Sequence, residues 1–175
     1  MISFQNDILP LKNELFRLAL RITQNRADAE DVVQDTMLKI WKRRDEWPQI
    51  DNIEAFCLTM CRNQALDKLR LMDNRWQSTD EGWQSTASPS ASVSPSTPVS
   101  TSTPETIAIA KNRLQLVRSL IDALPEKQRS CIQLRDIEGK SYRDIATILD
   151  ITEQQVKVNI FRARQTIKEK FMKIK

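Results

Sequence analysis

The sequence contains no histidine. The commonest general acid–base side chain and the commonest metal ligand are therefore missing. Three cysteines (Cys57, Cys61 and Cys131) are too few for a disulfide framework or a four-thiolate zinc site. Two glycines leave little for phosphate-cradling loops or tight hairpin turns, and so little for β-structure. No run approaches the roughly 18 apolar residues of a membrane span. Residues Met1 to Asp7 lack a basic stretch followed by an apolar core, so no secretory signal is expected. Together these absences exclude most enzyme mechanisms. They predict a cytoplasmic, all-α chain with no catalytic residues, no metal, no cofactor and no small-molecule substrate.

What remains is 175 residues, 40% hydrophobic and 29% charged, enough for one or two small domains. Residues 77–104 stand apart. Eighteen of these 28 residues are Ser, Thr or Pro, and Ser85 to Pro104 carries no charge. Such a stretch buries too little apolar surface to offset its ordering entropy, so a flexible linker is expected. It separates a domain at 1–76 from one at 105–175. The first holds 12 basic and 12 acidic side chains; the second holds 15 and 9, a net charge of +6. A basic domain of this size points to a polyanionic partner, most simply nucleic acid.

Apolar spacing predicts three helices before the linker and four after it. The first runs from about Phe4 to Ile22. The second spans about Arg26–Arg44, opened by Asn25. The third spans about Asp51–Leu71, with Asp51 and Glu54 as a capping-box-like pair. After the linker, Thr103 is expected to cap a helix beginning at Pro104 and ending near Ala123. A second starts at Pro125 and ends near Gly139. Ser141 caps a short third through Leu149, and Thr152 with Gln155 caps the last.

Ser141 to Phe171 has the form of a helix-turn-helix, its turn at Asp150-Ile151. That turn needs a residue tolerant of positive φ, and Asp is among the few besides Gly that accept it. At 100° per residue, Val156, Ile160, Ala163 and Ile167 fall within about 60° of one another and make the buried stripe. The opposite face carries Gln154, Val158, Phe161 and Gln165, flanked by Lys157 and Arg162. Amides and cations read base edges and phosphates in a major groove, and Val158 and Phe161 suit thymine methyls. Lys157, in the N-terminal half of the helix, is expected to read a base, and Arg162 to clamp a phosphate.

The second helix buries Ala29, Val33, Met37 and Ile40 and turns Asp31, Gln34, Asp35 and Leu38 outward. A leucine among acids suits a docking patch. In the third helix Cys57, Leu58, Cys61, Ala65 and Leu69 cluster inward, and the two cysteines are expected to be small core residues rather than redox groups. Its other face aligns Phe56, Asn63, Asp67 and Arg70. Asn and Asp can hydrogen-bond a base edge and Phe can stack on one, so this row suits an unstacked nucleotide.

Two stretches, Leu20–Thr36 and Cys61–Arg70, resemble region 2 of the extracytoplasmic-function sigma factors, a branch of the sigma-70 family. Leu124-Pro125-Glu126-Lys127-Gln128-Arg129 and Phe161-Arg162-Ala163-Arg164 resemble region 4. The resemblance covers about 145 residues, in the same order on both sides of the linker. It implies a bacterial promoter-specificity subunit that binds core RNA polymerase and directs transcription initiation. It further implies that Asp31, Gln34, Asp35 and Leu38 dock on the polymerase clamp. Phe56, Arg62, Asn63, Asp67 and Arg70 would read and melt the −10 element of promoter DNA. Gln154, Gln155, Lys157, Val158, Phe161 and Arg162 would read the −35 element, with Ser141 and Arg143 near phosphates. The family usually has glycine where Asp150 stands and a small or hydroxylated residue where Val158 stands, and the basic run after Arg70 is thin here. No sensor domain follows, which fits control by a separate anti-sigma factor. The rival readings are a dimeric helix-turn-helix regulator that binds palindromic DNA without polymerase, and a DNA-processing enzyme such as a transposase. The latter needs a metal-binding carboxylate cluster on a sheet, and neither strands nor such a cluster are evident.

Overall fold

The computed structural model describes residues 2–77 and 104–174. Residues 78–103 of the expected linker, the expected cap Thr103 among them, lie outside these residues, while its end residues Gln77 and Pro104 belong to helices. Every regular element among the described residues is helical. The seven α-helices are α1 (Lys12–Thr23), α2 (Arg26–Lys42), α3 (Ile53–Gln77), α4 (Pro104–Asp122), α5 (Glu126–Ile132), α6 (Tyr142–Leu149) and α7 (Glu153–Lys173). Three precede the linker and four follow it.

The first helix does not begin at Phe4 as a single rod. A wide turn at Phe4–Ile8 and a tight one at Leu9–Leu11 lead into α1. Pro10 has no N–H to donate and its ring crowds the carbonyl four residues back, so a continuous helix breaks there. α1 then closes on Gln24, whose φ of 54° is left-handed and whose N–H donates to the Leu20 carbonyl. Asn25 starts α2 by accepting the Asp28 N–H at 3.2 Å. α2 ends two residues earlier than expected, and a tight helical turn at Arg44–Gln49 carries Trp47 back, its indole N–H donating to the Ile40 carbonyl. α3 is capped by Asn52, which accepts the Ala55 N–H at 3.0 Å, rather than by Asp51.

Leu15, Leu18 and Ile22 of α1, Ala29, Val33 and Ile40 of α2, and Cys57, Leu58, Cys61 and Ala65 of α3 form the N-terminal part of the buried core. Full burial of each Leu or Ile contributes about 1.5–3 kcal/mol. Val32 and Thr36 widen the buried stripe of α2, and the Thr36 hydroxyl bonds back to the Val32 carbonyl. Cys131, Leu134, Ile145, Ile148, Leu149, Val156, Ile160 and Ala163 of the C-terminal half continue the same buried cluster. The three cysteines are buried free thiols. Burial pushes each thiol up to about 12, so they serve as small apolar residues.

The helix-turn-helix forms as its local signals dictate. Ser141 accepts the Asp144 N–H, and Asp150 takes the left-handed turn with φ 53°. Thr152 and Gln155 make a reciprocal capping box that starts α7. The stretch before α6 is less regular: α5 gives way at Gln133–Ile137 to a wider turn. Gly139 follows at φ 71°, and the Lys140 N–H bonds the Leu134 carbonyl. That turn sends Lys140 back across α1 and α3, where the two domains meet.

Candidate nucleic-acid interface

The outward face of α7 is built as its periodicity predicts. Val156, Ile160 and Ala163 are buried, while Gln154, Gln155, Lys157, Val158, Phe161 and Arg162 are exposed. Phe161 is 68% exposed, beside an exposed Val158. An apolar pair of this kind, ringed by amides and cations, lacks any protein partner among the described residues and suits the methyl-bearing floor of a major groove. A groove of about 390 Å³ runs along the start of this face, lined by Lys127, Ile151, Gln154, Val158, Asn159 and Arg162 among others. Lys127 and Asn159 were not anticipated. Lys127 comes from α5 and reaches the groove only through the tertiary fold.

Three of the expected residues are already engaged. The side-chain carbonyl of Gln155 accepts the Thr152 N–H at 3.0 Å, which turns it toward the start of its own helix. Ser141 donates to Asp144 Oδ2 at 2.6 Å while capping α6. Lys157 leans away from the groove, its ammonium 5.8 Å from the centre of the Tyr142 ring, on which Arg135 also rests at 4.7 Å. Arg143 is exposed at the start of α6.

A second groove, about 490 Å³, lies between the C-terminal end of α2 and the face of α3. Phe56, Asn63 and Asp67 line it together with Lys39, Lys42, Arg43, Thr59, Met60 and Gln64. Phe56 is half-buried and Asn63, Asp67 and Arg70 are exposed, Arg70 lying 3.6 Å from Asp67. The basic wall from α2 was not anticipated; its signal was the run Lys39, Lys42, Arg43 and Arg44 at the helix end. An aromatic face, an amide and three cations around one concavity can hold a base and its phosphate.

Arg62 does not join this face. It is 8% exposed and turned toward the C-terminal domain, with Nε 3.6 Å from Glu126 Oε1. Six residues after Phe56 at 100° each, it stands about 120° from the row that Phe56, Asn63 and Asp67 form. Arg62, assigned to the −10 face from the family resemblance, thus does not share the face of Phe56, Asn63 and Asp67 in this structure.

On α2, Asp31, Gln34, Asp35 and Leu38 all point outward, Leu38 being 59% exposed. Asp31 shares Lys68 with Asp28, at 2.8 and 3.2 Å, so Asp35 is the freer acid of the patch. Trp41, one turn beyond Leu38 and 47% exposed, enlarges the apolar surface. Phe4 meets it edge-on at 5.3 Å. Among the described residues no group of three or more Cys, Asp or Glu is placed to hold a metal ion, and no helix is long and apolar enough to cross a membrane.

The matches to known proteins fall on these same elements. The family model for Sigma-70 region 2 matches residues 8–76, and that for Sigma-70 region 4 matches residues 114–167. The ECF RNA polymerase sigma-E factor of Escherichia coli is 29% identical over 144 residues, covering 82% of this chain and 73% of its own. The sigma-E factor of Salmonella typhimurium matches with the same identity and coverage. Among solved structures, the sigma factor RpoE of Bartonella quintana, in complex with the anti-sigma factor NepR, superposes with a TM-score of 0.75 at 25% identity over 95% of this chain and 94% of its own. CnrH, in complex with the cytosolic domain of CnrY, shares the fold at a TM-score of 0.63 and 20% identity, over 96% of this chain and 86% of its own. With a region 2 match on the first helical domain and a region 4 match on the second, in that order along one polypeptide, the chain belongs to the sigma-70 family of RNA polymerase sigma factors, in its extracytoplasmic-function branch.

Proposed function

We propose a division of labour for this sigma factor among the three surfaces described. The outer face of α2, through Asp35, Leu38, Gln34 and Asp31 with Trp41 beside them, docks on core RNA polymerase. The groove between α2 and α3 receives an unstacked base of the −10 element, with Phe56 stacking, Asn63 hydrogen-bonding and Lys39, Lys42 and Arg43 steadying the backbone. The face of α7 reads the −35 element, with Gln154, Val158, Phe161 and Arg162 over the base edges and Arg143 and Lys127 toward phosphates. Residues 1–76 act as the polymerase-docking and −10 domain, 105–175 as the −35 domain, and 77–104 joins them.

The observation that carries this reading is the pairing of two unlike grooves on one chain. One combines an aromatic ring with cations, as single strands require; the other lies on an exposed recognition helix, as duplex DNA requires. A dimeric repressor has use for the second only. The function is binding and positioning, without chemistry on a substrate of its own. An anti-sigma factor is the expected regulator, on the strength of the likeness to the Bartonella protein.

The test is fluorescence anisotropy on promoter DNA labelled downstream of the −10 element. The account expects weak binding by the protein alone and tight, sequence-selective binding once core polymerase is added. Tight binding of a palindromic site without polymerase would favour the dimeric regulator.

A further inference from the structure

The acidic face of α2 is answered from within the chain before any partner arrives. Lys68, on α3, reaches across to α2 and sets its ammonium 2.8 Å from Asp31 and 3.2 Å from Asp28. The bond to Asp31 outweighs the burial that opposes it, and with the bond to Asp28 it holds the lysine above its ordinary range. Lys68 is therefore a full cation at neutral pH.

The two carboxylates depend on this lysine to different degrees. Asp28 is largely buried in the first turn of α2, where the helix dipole also favours an anion. The Asp31 side chain is 62% exposed and makes no other ion pair among the described residues. Its neighbour Glu30 is held by Arg26 at 2.9 Å on the same helix, whereas Asp35 has no such partner among the described residues. An ion pair as open as Lys68–Asp31 contributes little to folding. Its larger effect falls on what approaches the face. Acids around an exposed Leu38 fit a partner that offers cations beside an apolar contact. A partner cation aimed at Asp31 meets the Lys68 ammonium already there. Asp28, Asp31, Asp35 and Lys68 together carry a formal charge of −2, and −3 without the lysine.

We infer that Lys68 is a built-in attenuator of polymerase docking: it occupies Asp31 in the free protein and competes with the polymerase's cations for that carboxylate. The affinity of the α2 face is thereby set below what its acids alone would give. The inference rests on the docking role proposed for that face. Docking takes Asp31 from the lysine but leaves it Asp28, so the competition lowers affinity without blocking the site. Lys68 is a positioning residue, acting through Asp31 rather than by touching the partner.

Binding of the full-length chain to purified core polymerase across a salt series tests this. Lys68→Met keeps an apolar stem and removes the charge; Lys68→Arg keeps the charge. Lys68→Met is expected to bind about fivefold more tightly than wild type at about 50 mM salt. The gain should shrink below about 1.5-fold at about 1 M, where charges more than ~3 Å apart are screened. Lys68→Arg should bind as wild type does. With Asp31→Asn in place, Lys68→Met should bring no gain, because the contested carboxylate is gone. Equal or weaker binding by Lys68→Met and Lys68→Gln alike, a gain indifferent to salt, or the same gain without Asp31 would overturn the attenuator. Failure of the docking reading looks different: Asp35→Arg with Leu38→Asp would then bind core polymerase as wild type does. A failure confined to the lysine leaves that double variant unable to bind.

Discussion

The guanidinium of Arg43 lies 5.2 Å from the centre of the Phe56 ring, held there by Glu46 through bonds of 2.6 to 3.0 Å. The one aromatic face of the α2–α3 groove is thus flanked by a cation whose charge a neighbour neutralises. A base stacked on Phe56 brings a phosphate near Arg43, and Glu46 then competes for the same guanidinium. Phe56→Ala is expected to weaken holoenzyme binding to a melted −10 template by ~1–3 kcal/mol, the scale of one stacked base. Glu46→Ala is expected to tighten binding and steepen its salt dependence by about one counterion. Affinities on fork-junction templates across a salt series measure both.

Asn63→Ala is expected to impair promoter opening more than recruitment. The hydrogen bond proposed for it would form only after the base leaves the stack, and its loss is expected to cost ~1–3 kcal/mol in the melted complex. A pre-melted bubble should not restore full activity, because the contact remains missing. Equal activity of mutant and wild type on duplex promoters would remove Asn63 from the site.

Asp35→Arg together with Leu38→Asp is expected to abolish binding to core polymerase. Both residues are exposed, so thermal stability should stay within about 0.5 kcal/mol of wild type. Retention of wild-type affinity in a pull-down with core polymerase would refute the docking assignment.

The recognition helix separates its two cations in a way that reverses the order expected from position along the helix. Arg162 lines the groove with Gln154 and Val158, whereas Lys157 rests against Tyr142. Arg162→Ala is therefore expected to relax specificity at one −35 position by ~1–3 kcal/mol. Lys157→Ala should weaken all promoters alike and reduce the salt slope by about one. Holoenzyme binding across single-base −35 variants distinguishes the two profiles.

The cysteines should be silent in the native protein. Burial raises each thiol from 9.0 to about 12, so the fold favours the protonated form. Their contribution to stability is complete below the ordinary value and is lost as pH rises through about 12. At pH 8 the thiolate fraction is about one in ten thousand, against roughly one in ten for a free thiol at 9.0. A chromogenic disulfide reagent at pH 8 should react only as the chain unfolds; rapid reaction of any cysteine in the folded state would contradict the burial.

What the sequence made legible was local. Asn25, Ser141 and Thr152 announce helix starts because the bonds they make reach only three residues along the chain. The α7 stripe was legible because one helix face is a matter of angle alone. Pro10 carried its own signal, a helix break that apolar spacing overrode. The third helix starts at Ile53, two residues after the expected Asp51, because Asn52 rather than Asp51 holds the cap. Arg62 could have been set apart from Phe56 by angle; that Glu126 covers it depends on how two residues 64 positions apart in the chain, one in each domain, meet. Lys127 in the α7 groove, and Lys39 and Arg43 beside Phe56, likewise arrive from other elements. No periodicity within one helix can show them.

Run-off transcription with purified core polymerase tests the central claim most directly. With this protein added, a template bearing its cognate −10 and −35 elements should yield a discrete transcript. That transcript should vanish with Asp35→Arg/Leu38→Asp and fall with Asn63→Ala. A promoter-specific transcript that does not depend on this protein, or specific DNA binding by the protein alone that polymerase neither strengthens nor converts to transcription, would contradict it.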